Sequence, residues 1–470
     1  MKKSLIALLV VVVGGSAAFF GLRPQESVVE PNEPVAPAIA TGVSGEAPEL
    51  TGNIEIQRVI SPLGIEAWLV EEHSIPIVAL NLGFHGGAYL DEDGREGTAR
   101  LLTTLLDEGA GNLDSEAFQS TLDEYSISLS FSASRDAITG GLSTLSTNKD
   151  LAFNLLRLAL NEPRFDEEPV ERMRAQMAVL QKRRAASPNA IASDELFAEL
   201  FPGHNYAKSV TGNPTSLALL SVSDLANYLK NYLTQERLKV AVVGDITPEE
   251  LAKVLDEVFG TLPAAGAPRE TDPVDVVTKG ETIVVPFNNP QSSVIFGGQG
   301  LMQDDEDFIS VFVANYIIGS GDFGSRLMQE VREKRGLTYS IYTQFAPLDR
   351  AGLFMGAVAS DNAKVAEAVA ITKSEIDRLR SDGVSEQELS DAKTYLTGAF
   401  ALRFDSNAKI AGQLISYQLG GFPFDYINIR NGLVNDVSME DVNAILERFP
   451  PSNEITFVVV GQPEGIQSSN

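Results

Sequence analysis

Two side chains in the second half of the chain are spaced so that both could donate hydrogen bonds to one point. Arg332 lies near the end of a predicted helix that Gly336 should terminate, and Tyr339 follows at the start of a predicted strand. If the helix end and the strand start converge, a guanidinium and a phenol can both reach a carbonyl oxygen that gains negative charge during peptide hydrolysis. The structural alternative is that Arg332 belongs to a solvated helix face and that Tyr339 is an ordinary strand residue.

The residue types that usually hold a catalytic metal are scarce. The chain contains no cysteine and 3 histidines. Because His73, His85 and His204 are far apart in sequence, no helical pair of imidazole ligands can form. We therefore expect all three histidines to be structural, and we assign no metal and no cofactor to this chain. Thiol chemistry and disulfides are excluded as well.

One glycine motif resembles a nucleotide-binding fingerprint. Gly319–Gly324 fits G-x-G-x-x-G, but that fingerprint requires a preceding strand. The apolar run Phe308–Ile318 predicts a buried helix instead. We expect these glycines to form a turn between two helices.

Similar segments in the same order indicate that the fold is duplicated. Each half contains a strand, a polar turn, a second strand, a helix and a closing apolar strand that ends in glycine. The matched segments are Tyr125–Phe131 and Tyr339–Phe345, Ser134–Asp136 and Leu348–Arg350, Ala152–Leu160 and Ala363–Leu379, and Lys239–Gly244 and Thr456–Gly461. The first pair is offset by 214 residues and the last by 217. The pattern predicts an α+β chain of two tandem homologous halves, in which Thr247–Glu250 and Ser385–Glu388 begin helices as capping boxes.

The segment Ser325–Ser340 resembles a signature of the insulinase/pitrilysin zinc peptidases, which include the mitochondrial processing peptidases. The similarity extends over roughly Ile54–Gly461. It implies that each half is an antiparallel-rich sheet with helices packed on one face, and that the halves form part of a peptide-enclosing chamber. In that family an Arg and a Tyr spaced as Arg332 and Tyr339 are here hydrogen-bond the scissile carbonyl, which implies a substrate-binding role for this pair.

The same resemblance implies a zinc helix with the pattern His-x-x-Glu-His in the first half, and its ligands are missing. Arg100, Thr103 and Thr104 stand at the positions of the first His, the Glu and the second His. The third family ligand, a Glu, is expected near Met177–Lys182, yet residues 172–193 contain no Asp or Glu. Zinc requires imidazole or carboxylate donors here, and a guanidinium would repel the ion. We therefore interpret the zinc site as lost.

A carbonyl-binding pair without zinc ligands predicts a non-catalytic subunit of a heterodimeric insulinase-type metallopeptidase. In split members of the family, one chain supplies the zinc helix and another the Arg/Tyr pair. The implied partner is a zinc-bearing insulinase-like chain, and the implied substrate is a peptide or an unfolded polypeptide. We expect the isolated chain to be inactive. The alternatives are a structural or assembly protein with a degenerate peptidase fold, and a protein that binds peptides without cleaving them.

Composition and the N-terminus predict where the protein works. The chain has 36 basic and 64 acidic residues and a net charge of −28, which argues against nucleic-acid binding. Lys2 and Lys3 precede the uncharged apolar stretch Ser4–Leu22, which is typical of a bacterial export signal or an uncleaved inner-membrane anchor. We expect a periplasmic protein, either anchored to the inner membrane or exported after signal cleavage.

The predicted domain organisation follows from these observations. It comprises a signal or membrane anchor at 1–23, a disordered, acidic and proline-rich tether at 24–53, a first insulinase-like domain without its zinc motif at 54–262, a linker at 263–280, and a second insulinase-like domain with the Arg/Tyr pair at 281–470.

Overall fold

The computed structural model describes residues 53–268, 272–321 and 324–469. The predicted anchor at 1–23 lies outside the described residues, as does the predicted tether apart from Asn53. Within the described ranges, no helix is both long enough and apolar enough to cross a membrane.

The described part of the first half forms one sheet with its helices. Its strands are β1 (Gln57–Ile60), β2 (Glu66–Glu71), β3 (Ile77–His85), β4 (Ser128–Ala133), β5 (Ala137–Leu145) and β6 (Leu238–Gly244). Its helices are α1 (Thr98–Thr103), α2 (Ser115–Glu124), α3 (Lys149–Asn161), α4 (Glu167–Ala185), α5 (Pro188–Leu200), α6 (Pro214–Leu219), α7 (Val222–Tyr232) and α8 (Pro248–Phe259).

The described part of the second half repeats this plan. Its strands are β7 (Thr282–Pro286), β8 (Gln291–Gln299), β9 (Ile341–Phe345), β10 (Leu353–Asp361) and β11 (Thr456–Gly461). Its helices are α9 (Phe308–Asn315), α10 (Val365–Asp382), α11 (Glu386–Gly398), α12 (Asn407–Leu419), α13 (Tyr426–Asp436) and α14 (Met439–Leu446). Two wider π-helical turns, Tyr316–Ser320 and Met328–Glu333, lie between α9 and β9.

The two sheets share one topology, as the sequence repeat predicts. The strand order is β1-β2-β6-β3-β5-β4 in the first sheet and β7-β11-β8-β10-β9 in the second. Without β1, the five strands β2, β6, β3, β5 and β4 correspond in order to β7, β11, β8, β10 and β9. β2 and β6 pair in parallel, as do β7 and β11, and the other pairs are antiparallel. Ser128 pairs with Ser143, and the residues 214 positions further on, Tyr342 and Ala357, pair in the same register. The prediction of two tandem α+β halves is confirmed.

Each sheet is buried on both faces because its strands carry apolar residues at successive positions. In β2, Ala67 and Leu69 point into a core shared with the helices of the first half. The alternate residues Trp68 and Val70 belong to a second core on the opposite face. One face of each sheet is covered by helices of its own half, as predicted.

The opposite faces are covered by an exchange of helices between the halves. Helix α12 of the second half packs on β3 and β6 of the first sheet, where Leu414 and Ile415 are buried. Helix α5 of the first half packs on β8 and β11 of the second sheet through residues such as Leu196. Burial of one such side chain contributes roughly 1.5–3 kcal/mol, so this exchange holds the two halves firmly together.

Local sequence signals agree with the helix boundaries. Thr247 and Ser385 are N-caps of α8 and α11, and each forms the predicted capping box with the Glu three residues later. Helix α9 occupies most of the predicted Phe308–Ile318 helix and continues into the first π-helical turn. The glycine motif that begins at Gly319 therefore follows a helix, which excludes the strand context of a dinucleotide fingerprint.

Candidate functional site

Arg332 lies in the wide helical turn Met328–Glu333 that precedes β9. Such π-helical turns are rare and occur frequently at functional sites. The Arg332 side chain is 31% exposed, and its Nε lies 3.6 Å from Oε1 of Glu333. The sequence therefore places a partly exposed guanidinium at the end of this helical segment, where it can contact a ligand.

The helix ends where the sequence predicts, at Gly336. This glycine has a φ of +60°, which an L side chain rarely adopts. Its N–H donates to the Arg332 carbonyl at 2.8 Å, and the next N–H, from Leu337, donates to the Val331 carbonyl at 3.0 Å. These bonds fold the chain back on the helix end, so the segment that carries Tyr339 starts beside the turn that carries Arg332.

Tyr339 projects from the loop between this turn and β9, and its side chain is 83% exposed. The sequence predicts that β9 begins at Tyr339, whereas the strand begins at Ile341. The difference has a local cause. The Thr338 hydroxyl donates to the carbonyls of Ser340 and Ala359 and accepts from the Ser340 N–H, which draws these backbone groups away from the strand ladder.

Neighbouring charges stabilise the turn that holds Arg332. The buried Glu330 carboxylate accepts from Lys334 at 2.5 Å and from Arg335 at 2.6 Å, and these bonds hold the pKa of Glu330 below its usual range. Arg335 also donates to the Glu330 carbonyl at 2.7 Å. Lys334 and Arg335 are thus engaged with the helical turn itself.

The first-half helix that would carry zinc has no metal ligands at the predicted positions. The hydroxyls of Thr103 and Thr104 donate to the carbonyls of Arg100 and Leu101 at 2.9 and 2.8 Å. Arg100 Nη1 donates to Ser132 Oγ on β4 at 3.3 Å, and burial lowers the pKa of its guanidinium. These groups are a cation and two hydroxyls already used within the helix, so the site does not fit zinc.

The expected third position gives the same result. Met177 on α4 is buried in the first core, and Gln181 on the same helix donates to the Thr211 carbonyl at 2.8 Å. Across the described ranges, no group of three or more His, Asp or Glu side chains is arranged to hold a metal ion. The metal positions of the first half are filled by packing and backbone hydrogen bonds.

The three histidines have structural partners. His73 lies at the surface, where Asp245 at 2.7 Å and Glu71 at 3.3 Å raise the pKa of its imidazole. His85 Nδ1 lies 3.4 Å from Asp349. His204 Nδ1 accepts from the Tyr206 N–H at 3.0 Å.

Sequence reasoning missed one polar cluster, which forms where the two halves meet. The turns Ser134–Asp136 and Leu348–Arg350 were recognised as duplicates, but nothing in the sequence indicated that they contact each other. Asp136 accepts from the Tyr206 hydroxyl at 2.5 Å. Desolvation and the nearby Asp349 carboxylate raise the pKa of Asp136 to about 7. The polar composition of both duplicated turns was the only available signal.

The fold and these sites define a duplicated α+β protein whose metal-binding positions carry no metal ligands. Comparison with known families gives the same class. Residues 67–214 match the family described as insulinase (peptidase family M16), and residues 220–396 match the family described as peptidase M16 inactive domain. The chain belongs to the insulinase family and is an inactive member of it.

Individual relatives support this assignment. The chain is 26% identical to a "non-peptidase homolog YmxG" of Helicobacter pylori over 83% of this chain and 90% of that protein. It is 22% identical to the beta subunit of the mitochondrial-processing peptidase of Blastocladiella emersonii, covering 92% of this chain and 94% of that one. A solved structure from Pseudomonas fluorescens, described as a peptidase M16 inactive domain, superimposes with a TM-score of 0.81 at 26% identity and covers 88% of this chain and 99% of that one.

Proposed function

We propose that this chain is the substrate-binding, non-catalytic subunit of a heterodimeric insulinase-type metallopeptidase. The proposal rests on one observation: a guanidinium and an exposed phenol flank a single chain reversal, while the metal positions of the same chain carry no ligands. Arg332 lies on one side of the reversal at Gly336, and Tyr339 lies on the other. The family membership of the chain makes a peptide the natural ligand for two such donors.

The role of the pair follows from the chemistry of peptide hydrolysis. When water attacks a peptide carbonyl, negative charge develops on the carbonyl oxygen, and fixed donors stabilise that charge more than they stabilise the ground state. Each donor can lower the activation barrier by about 2.7–4 kcal/mol. Arg332 and Tyr339 supply donors but no base, so a partner chain must supply the zinc-activated water and the general base.

We also propose a cellular location for the protein. The Lys2–Lys3 pair and the apolar Ser4–Leu22 stretch are suited to export and inner-membrane anchoring, and residues 24–53 are suited to act as a tether. The domains at 54–262 and 281–470, joined at 263–280, would then work in the periplasm. Fractionation of the native cells into membrane, periplasm and cytoplasm tests this location directly.

Co-purification and reconstitution test the function. The protein isolated from native membranes should bring with it an insulinase-like chain that carries His-x-x-Glu-His. In the reconstituted pair, Arg332→Ala and Tyr339→Phe should each lower kcat/KM about 10²–10³-fold without preventing assembly. Arg403→Ala and Tyr342→Phe are controls that remove an exposed guanidinium elsewhere in the second half and a nearby phenol, and they should leave cleavage within about twofold.

Other outcomes would favour the rival functions. If no zinc-bearing chain co-purifies and the Arg332 and Tyr339 variants behave as wild type, the structural or assembly role is supported. Stoichiometric zinc in the isolated chain, together with chelator-sensitive proteolysis, would overturn the assignment of a non-catalytic subunit.

A further inference from the structure

The turn that carries Arg332 is wider than an α-helical turn, and a side chain completes its hydrogen bonds. In an α-helix the Lys334 N–H would donate to the Glu330 carbonyl four residues earlier. Here it donates to the Gln329 carbonyl at 2.9 Å. The Arg335 guanidinium donates to the Glu330 carbonyl at 2.7 Å, so a side chain serves an acceptor that this N–H would serve in an α-helix.

The Glu330 carboxylate holds that guanidinium in place. It accepts from Arg335 Nη1 at 2.6 Å and from Lys334 Nζ at 2.5 Å. The carboxylate lies two residues before Arg332, whereas the two cations lie two and three residues after it. One carboxylate therefore connects the chain before Arg332 to the chain after it.

This connection is intact at neutral pH. Hydrogen bonds from Lys334 and Arg335 lower the pKa of Glu330 more than burial raises it, so the carboxylate is ionised. Both bonds are then charge-assisted, which makes them short and strong. They fix the relative positions of three residues, and the backbone of Arg332 lies between these fixed points.

We propose that Glu330 is a positioning residue for Arg332: by fixing the wide turn on both sides, it aims the guanidinium at the carbonyl oxygen of a bound peptide. The inference rests on the proposed function, because it takes from there the contact between Arg332 and this oxygen. A donor stabilises the transition state only in a narrow range of distance and angle, and a misplacement of about 1 Å can cost about 10²-fold in rate. Glu330 acts only through Arg332 and touches no reacting atom itself.

Kinetics of the reconstituted pair separate positioning from a general structural role. Glu330→Gln keeps the shape of the side chain but removes its charge, and it should lower kcat about tenfold while KM stays within about twofold. In the Arg332→Ala background the same change should alter kcat by less than about twofold, because no guanidinium is left to aim. Glu330→Asp keeps the charge and should recover part of the loss.

Hydrogen exchange of the purified full chain gives a readout that does not depend on cleavage. Amides of residues 331–340 should exchange about tenfold faster in Glu330→Gln than in wild type, while the strands of both sheets keep their rates. Glu108→Gln is the matched control in the first half, where Glu108 pairs with Arg172 at 2.9 Å. The side chains of Glu330 and Glu108 are 11% and 14% exposed, and the control should change neither this exchange nor kcat.

A second variant covers the case in which Glu330→Gln does not fold. Arg335→Ala removes the donor to both the carboxylate and the carbonyl of Glu330, and it should lower kcat in the same selective way. In that case an Arg335→Ala protein with the kcat and the exchange rates of wild type contradicts the inference.

The inference is overturned if Glu330→Gln leaves kcat unchanged, lowers it equally with and without Arg332, or leaves the exchange of residues 331–340 unchanged. In these cases the proposed function stands as long as Arg332→Ala still slows cleavage. If Arg332→Ala instead cleaves as fast as wild type, the proposed function fails and the inference fails with it, whatever the exchange rates show.

Discussion

The carboxylate of Asp91 allows a sharp test of how burial competes with hydrogen bonding in this fold. Asp91 is 3% exposed and accepts from the N–H groups of Gly97 and Ala99 at 2.7 and 3.0 Å, at the start of α1. Such bonds favour the ionised form, but desolvation outweighs them and raises the pKa of Asp91 to about 7. Protonation of Asp91 as the pH falls through about 7 should therefore be visible in the stability of the protein.

The sign and size of the effect follow from linkage. The native pKa of about 7 lies above the ordinary value of 3.8, so the contribution of Asp91 is fully present below pH 3.8 and is lost as the pH rises to about 7. A shift of about three units corresponds to about 4 kcal/mol over the whole range, and to about 2.5 kcal/mol between pH 5 and pH 8. Asp91→Asn resembles the protonated form, so we expect it to lack this loss and to gain stability relative to wild type as the pH rises.

Denaturant unfolding at pH 5, 6, 7 and 8 measures the difference. The pKa of Asp136 is also raised, so Asp136 adds the same pH dependence to the stability of wild type and of every variant. The informative quantity is therefore the difference in unfolding free energy between wild type and Asp91→Asn at each pH. Asp93→Asn is the control, because that carboxylate lies two residues away, is exposed and pairs with Lys208. If Asp91→Asn instead loses stability relative to wild type as the pH rises, the two N–H bonds outweigh desolvation and the reasoning is wrong.

Three further perturbations test other parts of the structure. Gly336→Ala places a side chain at a φ of +60° and should cost about 1 kcal/mol in thermal unfolding, whereas Gly324→Ala, where a methyl group meets open space and φ is not positive, should be neutral. Glu388→Gln removes the partner of Arg326, whose hydrogen bond lowers the pKa of Glu388 to about 2. Because Glu388 is partly exposed, solvent screening reduces the effect of this shift, and the variant should lose about 2 kcal/mol at pH 7. The wild-type advantage should vanish as the pH falls from 4.5 to 2. Leu414→Ala should cost 2–5 kcal/mol in unfolding free energy if α12 is an integral cover of the first sheet.

The duplication was predictable because it is recorded in local patterns. Alternating apolar residues and polar turns recur in the same order, and the offset of 214 residues found in sequence is the offset between paired residues in β4 and β9. The exchange of α5 and α12 was not predictable in this way. Their apolar faces show that each helix is buried but do not say which sheet buries it, because that depends on contacts between residues far apart in sequence.

The candidate sites also differ in how far they could be predicted from the sequence. The absence of zinc ligands was evident from residue types alone, since Arg100, Thr103 and Thr104 cannot replace imidazole and carboxylate donors in any conformation. The environment of Asp136 was not evident. Its raised pKa comes from desolvation and from Asp349 in the other half, and neither cause has a sequence signature.

A difference between the two repeats bears on the role of Tyr339. In the first repeat the left-handed residue Ser126, with a φ of +52°, lies two residues before Ser128. In the second repeat the left-handed residue Gly336 lies six residues before Tyr342, which occupies the same pairing register as Ser128. The left-handed residue thus lies four positions further from the strand register in the second repeat than in the first. Tyr339 stands 214 positions after Tyr125, and it is 83% exposed where Tyr125 is 39% exposed.

Tyr339 itself contributes little to the folded core, although Leu337 and Ile341 on either side of it are buried there. The Thr338 hydroxyl fixes the loop against β10, yet the loop holds the Tyr339 ring 83% exposed, where it buries little apolar surface. In the first repeat three residues, 125–127, connect the helix to the strand, whereas seven residues, 334–340, do so in the second. The exposed Tyr339 ring adds little to stability, which supports the ligand contact that we propose for Tyr339 and Arg332. This asymmetry between the repeats supports our proposal that the second repeat carries the binding site.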